Sequence, residues 1–403
     1  VRHFRETFPM QTTAMNEATT IMGGQDNVEH SILNIHKCAN PAIIGIASTG
    51  LTETKGDDVD GYLATIRRKH PELDDLALVY VSTPDYVGAF QDGWAKAVAK
   101  IVKELAVPGE KIASQVNVLA GGHLTPGDIE EIREIVQAFG LRPIILPDLS
   151  GSMDGHVPDN FSPTTLGGTT LEDLRGTGRS EFTLAIGEHM REAAQTLQDK
   201  CGVPFEVLET LTGLDDNDRL MSLLAEKSGR PAPLKYRRQR SQLVDAMLDA
   251  HFFIGGKKIA IGAEPDLLSA VGKLLVGIGA ELSAVVTTTH SPLLEKLPAR
   301  EVLIGDLEDL ENRAQDCDLL ITHSHGRQMA ERLDIPFLRL GIPMFDRLGA
   351  AHQLSVGYRG SRNLVFEVAN IFMAAAHEPL PDDWRQPASE GEACGSCAST
   401  AAH

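Results

Sequence analysis

The feature that most constrains this chain is a repeated local unit: a short apolar run, then small or turn residues, then a helical pattern. Pro41-Ala42-Ile43-Ile44-Gly45-Ile46-Ala47 runs into Ser48-Thr49-Gly50, and Leu76-Ala77-Leu78-Val79-Tyr80-Val81 into Ser82-Thr83-Pro84. The runs at 116–120 and 143–146 end in Gly121-Gly122 and Pro147-Asp148, and further runs lie at 258–262, 284–286, 319–321 and 337–340. They are apolar throughout and do not alternate, as expected of strands covered by helices on both faces of a parallel sheet. Between them, Trp94 to Leu105 places Val98, Ile101, Val102 and Leu105 on one stripe. Asp128 to Phe139 does the same with Ile129, Ile132, Ile135, Val136 and Phe139, and Thr125-Pro126 before it supplies a capping hydroxyl and a first-turn proline. Strand, turn, helix and strand in this order predict an α/β fold with right-handed crossovers.

A chain of 403 residues does not wrap one core; at roughly 100–200 residues per domain, two or three are expected. The units cluster at residues 1–113, 114–246 and 247–377, the second carrying a Gly/Ser/Thr-rich loop at 150–178. Residues 378–403 shift to Pro, Asp, Ser, Gly and Ala and read as a disordered tail. With 37 Lys+Arg against 56 Asp+Glu the formal charge is −19, which argues against general affinity for nucleic acid or an anionic membrane. No window approaches the roughly 18 apolar residues of a membrane span, and the first residues lack the pattern of a signal peptide. The chain begins without Met, so a processed protein or a fragment is expected. Five cysteines (Cys38, Cys201, Cys317, Cys394 and Cys397) are too few and too scattered for a disulfide framework, which points to a reducing cytoplasm.

Catalytic signatures are sparse. There is no Walker-type loop, no zinc-protease helix and no nucleophile elbow. Gly277-Ile278-Gly279 follows helical sequence and reads as a helix end, not a dinucleotide fingerprint. His323-Ser324-His325 follows a strand; it is either a proton relay or ligand contact, or the plainer polar strand end facing solvent. Cys394 and Cys397 are a redox pair or half a metal site only if structure holds them, and the tail offers none. Lys235, Arg237, Arg238 and Arg240 either steer an acidic partner or form a solvated helix face. Asp148, Asp154 and His156 could bind a ligand, but turn chemistry alone accounts for these residue types.

Longer strings carry a resemblance. Val1-Arg2-His3-Phe4-Arg5-Glu6, Ser48-Thr49-Gly50-Leu51-Thr52-Glu53-Thr54 with Gly56-Asp57-Asp58, Thr83-Pro84-Asp85-Tyr86-Val87-Gly88, and Leu124-Thr125-Pro126-Gly127-Asp128 are among them. So are Pro147-Asp148-Leu149-Ser150-Gly151-Ser152 and Gly341-Ile342-Pro343-Met344-Phe345-Asp346-Arg347-Leu348-Gly349. Together they resemble the nitrogenase component-one family over nearly all of the chain up to about Glu378, and within it the scaffold on which the iron–molybdenum cofactor is matured. The resemblance implies three Rossmann-like domains with parallel sheets flanked by helices. It also implies a heterotetramer with the scaffold's E subunit, an iron–sulfur cluster at the shared interface, and a cofactor precursor held mainly by that partner. The nitrogenase iron protein and precursor-delivering proteins are further implied partners; nucleic acid and membrane are not.

Departures from the family pattern matter as much. Where the catalytic β subunit carries a cluster-ligating cysteine, this chain has Gly50, and where that subunit has a serine able to ligate, it has Asp85. The resemblance therefore makes Thr49, Gly50 and Asp85 the wall of a cluster cavity and not ligands, and expects the scaffold's one ligating cysteine upstream of Val1. Cys38 matches no ligand position and is expected to be a small buried residue. The reading is a non-catalytic assembly scaffold; the alternative is a β-type subunit of a nitrogenase or chlorophyll-synthesis reductase.

Overall fold

The structure, a computed structural model, describes residues 9–13, 17 and 23–375. The expectations for Val1–Glu6, for the 378–403 tail and for Cys394 and Cys397 fall outside these residues. Every strand pairing is parallel, so each strand must be left by a crossover that covers a face. β1 (Ile43–Ala47) pairs with β2 (Ala77–Val81), Ile44 opposite Leu78. β3 (Gln115–Ala120), β4 (Arg142–Leu146), β5 (Phe182–Ile186) and β6 (Phe205–Leu208) form a second sheet in the order β4-β3-β5-β6. β7 (Lys258–Gly262), β8 (Glu281–Thr287), β9 (Leu303–Ile304), β10 (Leu319–Thr322) and β11 (Phe337–Arg339) form a third, ordered β11-β10-β7-β8-β9.

At β3, β4, β7 and β10 the unalternating runs become buried strands because helices cover both faces, whereas β1 buries only Ile44. All six residues of β3 are buried: Val116 and Val118 pack with the Pro126–Ala138 helix, and Leu119 with the Phe90–Leu105 and Arg191–Cys201 helices. The Thr125 hydroxyl accepts from the Asp128 N–H at 3.0 Å and Pro126 takes the first turn, as the sequence predicts. Gly279 sits at φ +103°, ending the Pro265–Gly277 helix before β8.

One apolar cluster runs through the second and third sheets, from Val118 and Leu184 to Ile261 and Leu319. The Leu234–Ile254 helix crosses between them without a break at residue 246, and the Gly357–Ala375 helix lies on it. A separate cluster of Ile32, Ile44, Leu63, Ile66 and Leu78 holds β1 and β2.

Candidate functional site

Thr49, Gly50 and Asp85 sit where β1 and β2 end. Ser48 ties the two ends together: its hydroxyl accepts from the Thr83 N–H at 2.8 Å, and its carbonyl accepts from the Thr83 hydroxyl at 3.1 Å. Thr49 caps the Gly50–Lys55 helix and donates its own N–H to the Thr52 hydroxyl at 2.9 Å. This geometry brings Gly50 against Asp85: a Cβ at position 50 would collide with Asp85 Oδ1 and lie 3.0 Å from a Tyr86 ring carbon. Gly50 is buried and Asp85 exposed, beside Leu51, Tyr86 and Val87, which are more than half exposed. Behind the wall, Tyr80 donates to Glu53 at 2.9 Å; burial and that carboxylate push the phenol up to about 12, and hydrogen bonds from Ser48 and Ser82 hold Glu53 low. These three residues offer one carboxylate, one hydroxyl and no thiolate. Their donor set does not fit an iron–sulfur cluster held by this chain, since such clusters take cysteine thiolates.

The cysteines do not supply the missing ligand among the described residues. Cys38 is exposed, correcting the expected burial: it lies near the end of the Gln25–Ala39 helix, and its thiol faces the Asn34 side chain at 3.6 Å. Cys317 is buried, and burial raises its thiol to about 11, keeping it protonated at neutral pH.

A second constellation has no sequence signal. Gln91, His189 and Asp266 meet from three distant parts of the chain. His189 Nδ1 lies 2.5 Å from Asp266 Oδ2, and Gln91 spans the Asp266 side chain and N–H at 3.3 and 3.0 Å. The Gly122 N–H donates to His189 Nε2 at 3.1 Å, which places the ring proton on Nδ1, facing the carboxylate. With His123 this is the one group of three metal-capable side chains among the described residues, their ligand atoms within 4.8 Å. The hydrogen bonding opposes a metal there, because both ring nitrogens of His189 are already engaged. Asp266 is fully buried and the His189 side chain 5 % exposed, so the group works as a lock between segments. His123 completes it with a buried, unpartnered Nδ1, and burial drives this ring down to about 4, keeping it neutral.

The other motifs resolve structurally. His323 is half-buried in a cavity wall and not a solvent-facing strand end, with burial lowering its pKa; His325 is exposed. Ser324 between them donates to Asp346 at 2.5 Å, and the Arg339 guanidinium beside that carboxylate holds it down to about 2. Arg240 grips Asp218 at 2.7–3.0 Å, Lys235 reaches Glu134 at 3.1 Å and Arg237 donates to the Ala232 carbonyl at 3.1 Å, so the cationic stretch is a helix face on which two of the four cations are paired with carboxylates. Asp148 accepts from the Ser150 N–H at 3.0 Å and Asp154 from Gly151 at 3.0 Å, which is turn chemistry.

Parallel sheets covered by helices, with polar side chains gathered at the strand ends, define a class, and comparison with known proteins gives its family. The chain belongs to the nitrogenase component 1 type oxidoreductases, whose family model matches residues 1–373. It is similar to the nitrogenase iron-molybdenum cofactor biosynthesis protein NifN of Bradyrhizobium diazoefficiens, 58 % identical over 394 residues, 96 % of this chain and 84 % of that one. The protein of the same name from a Nostoc species is 52 % identical over 375 residues, 93 % of this chain and 84 % of its own. Among solved structures, nitrogenase Cp1 superposes with a TM-score of 0.87 at 33 % identity, covering 93 % of this chain and 84 % of that one. No helix of the described residues is long and apolar enough to cross a membrane.

Proposed function

We propose that this chain is one subunit of the scaffold on which the precursor of the nitrogenase iron–molybdenum cofactor is matured before transfer to the catalytic protein. The carrying observation is the 58 % identity, over 96 % of the chain, to a protein named for that biosynthesis. The alternative, a β-type subunit of a reductase, is set aside because relatives at 46–58 % identity bear the biosynthesis name. The wall chemistry supports the same choice: Gly50 and Asp85 stand where the resemblance places a cysteine and a serine in the catalytic subunit.

In this reading the chain acts in the cytoplasm and assembles with an E subunit in a heterotetramer. The Thr49–Gly50–Asp85 wall, with its rim of Leu51, Tyr86 and Val87 (53, 62 and 53 % exposed), faces that partner. An iron–sulfur cluster at the interface is held by ligands other than these three residues, and the precursor rests mainly on the partner. The chain contributes shape and docking, and no acid–base or nucleophilic step of its own.

Co-expression with an E subunit and purification through a tag on this chain tests the proposal. The expected result is a stable complex carrying iron. Isolation as a monomer, or stable pairing with a catalytic α chain instead, would overturn it.

A further inference from the structure

Two crevices face one another inside this molecule. In the second sheet the chain leaves β3 for β4 and returns to β5 on the other side; in the third it leaves β7 for β8 and β9 and returns to β10. Such reversals open a crevice at the carboxyl ends of the diverging strands, where α/β proteins bind ligands. Gly122 and His123 after β3, Gly262 at the end of β7 and Thr322 at the end of β10 line a single cavity of about 250 Å³.

Its chemistry is selective. The hydroxyls of Thr287 and Thr322 are in residues 1 % exposed, and neither has a hydrogen-bond partner. Thr322 Oγ1 would lie 3.5 Å from a Cβ at Gly262, so the hydroxyl sits at the β7–β10 reversal itself. Val286 and Leu310 supply apolar wall. The charged lining groups are carboxylates, with no lysine or arginine among them. Asp306 is engaged as a helix cap, accepting from the Glu308 and Asp309 N–H groups at 2.8 and 3.1 Å. Glu264, half-buried, accepts a long bond of 3.4 Å from the Gln91 N–H and a further hydrogen bond from the Thr288 hydroxyl; Asp92 and His189 face it, and no lysine or arginine pairs with it among the described residues. Burial pushes its carboxyl up. A half-buried carboxylate with no cation beside it is a group that a positively charged ligand would complete.

We infer that this cavity binds a small hydroxylated amine. Its ammonium group meets the Glu264 carboxylate, its hydroxyl donates to one of Thr287 and Thr322 and accepts from the other, and its carbon skeleton rests on Val286 and Leu310. Anions are excluded, because burial keeps both His123 and His323 neutral and nothing else lining the cavity carries positive charge. The inference stands independently of the scaffold reading, resting on this chain's interior and not on its partner.

Ligand-observed NMR titration of the full chain, in whatever complex it is purified, tests it with ethanolamine and malonate as probes. Ethanolamine should bind saturably and malonate should not. Glu264→Gln should weaken ethanolamine about tenfold or more, the scale of a charge-assisted contact, and Thr322→Val about threefold, the scale of one neutral hydrogen bond. Wild-type affinity should fall as pH is lowered and Glu264 takes up its proton. If Glu264→Gln fails to fold, Thr322→Val and Thr287→Val decide, since each keeps its side-chain shape. No saturable ethanolamine binding, malonate binding of equal strength, or affinity untouched by the substitutions in folded protein overturns the inference.

Discussion

At position 50 the backbone passes so close to Asp85 that the two residues are chosen together. A methyl on Gly50 meets the Asp85 carboxylate head on, yet Asp85 is exposed and can swing into water. Gly50→Ala should therefore cost only about 1 kcal/mol, the low end of overpacking. In an Asp85→Ala background the same change should be neutral or stabilising, because alanine is the better residue in a helical first turn. A double-mutant cycle on urea midpoints reads the coupling; additive effects would show the contact does not exist in solution. His123 gives a second residue-scale test. Its folded value of about 4 lies below the ordinary 6.5 of an unfolded histidine, so its contribution is full above pH 6.5 and is lost as pH falls through 6.5 toward 4. The loss is at most about 3 kcal/mol. Wild type and His123→Gln, compared at pH 7 and pH 4.5, share the titration of every carboxylate. Only the wild type should carry the extra acid sensitivity, and parallel pH dependences would refute the assignment.

Among the elements, the Pro126–Ala138 helix shows how far sequence reaches. Its stripe, capping threonine and proline are all local, and all were legible. What Asp128 does was not. Beyond taking the Thr125 N–H at 3.1 Å, its buried carboxylate accepts from the Ser355 N–H at 2.7 Å, the Ser355 hydroxyl at 3.0 Å and the Val356 N–H at 3.2 Å, 227 and 228 residues away. Nothing in a helical pattern predicts such a tie. Asp128→Asn turns an acceptor into an amide facing donors and should cost roughly 2–3 kcal/mol. Hydrogen exchange at Ser355 and Val356 should speed up more than in β3; uniform acceleration would mean the tie is not local. Strands divide in the same way. Unbroken runs such as 258–262 were legible, whereas β5 is interrupted by Thr183, β6 by Glu206, and β9 is two residues long. Pairing between neighbours, and not their own patterns, makes these three strands. The candidate residues divide too: Gly50 and Asp85 were singled out through family strings, while His189 and Asp266, 77 residues apart, and Gln91, 175 from Asp266, carry no motif.

For the whole molecule the question is which couplings make it one cooperative body. The Gln91–His189–Asp266 lock joins three segments, and each hydrogen bond to its buried carboxylate is worth about 1.5–3 kcal/mol. The apolar cluster shared by the second and third sheets is far larger, at about 1.5–3 kcal/mol for each fully buried large side chain. Packing therefore sets the cooperativity of those two sheets, and the lock sets how their strand ends face each other. Among the described residues β1 and β2 rest on a small cluster of their own, with Ile43 alone reaching the cluster on the second sheet, and two paired strands are marginal alone. They should open first. In native-state hydrogen exchange under increasing urea, the amides of Ile44 and Ile46 should exchange through a sub-global opening of lower free energy, while those of β3 and β7 exchange together through global unfolding. Asp266→Ala should lower the β3 and β7 values in step and leave the order unchanged. If β3 and β7 separate in the wild type, or if β1 is as protected as they are, the shared core does not govern the molecule in this way.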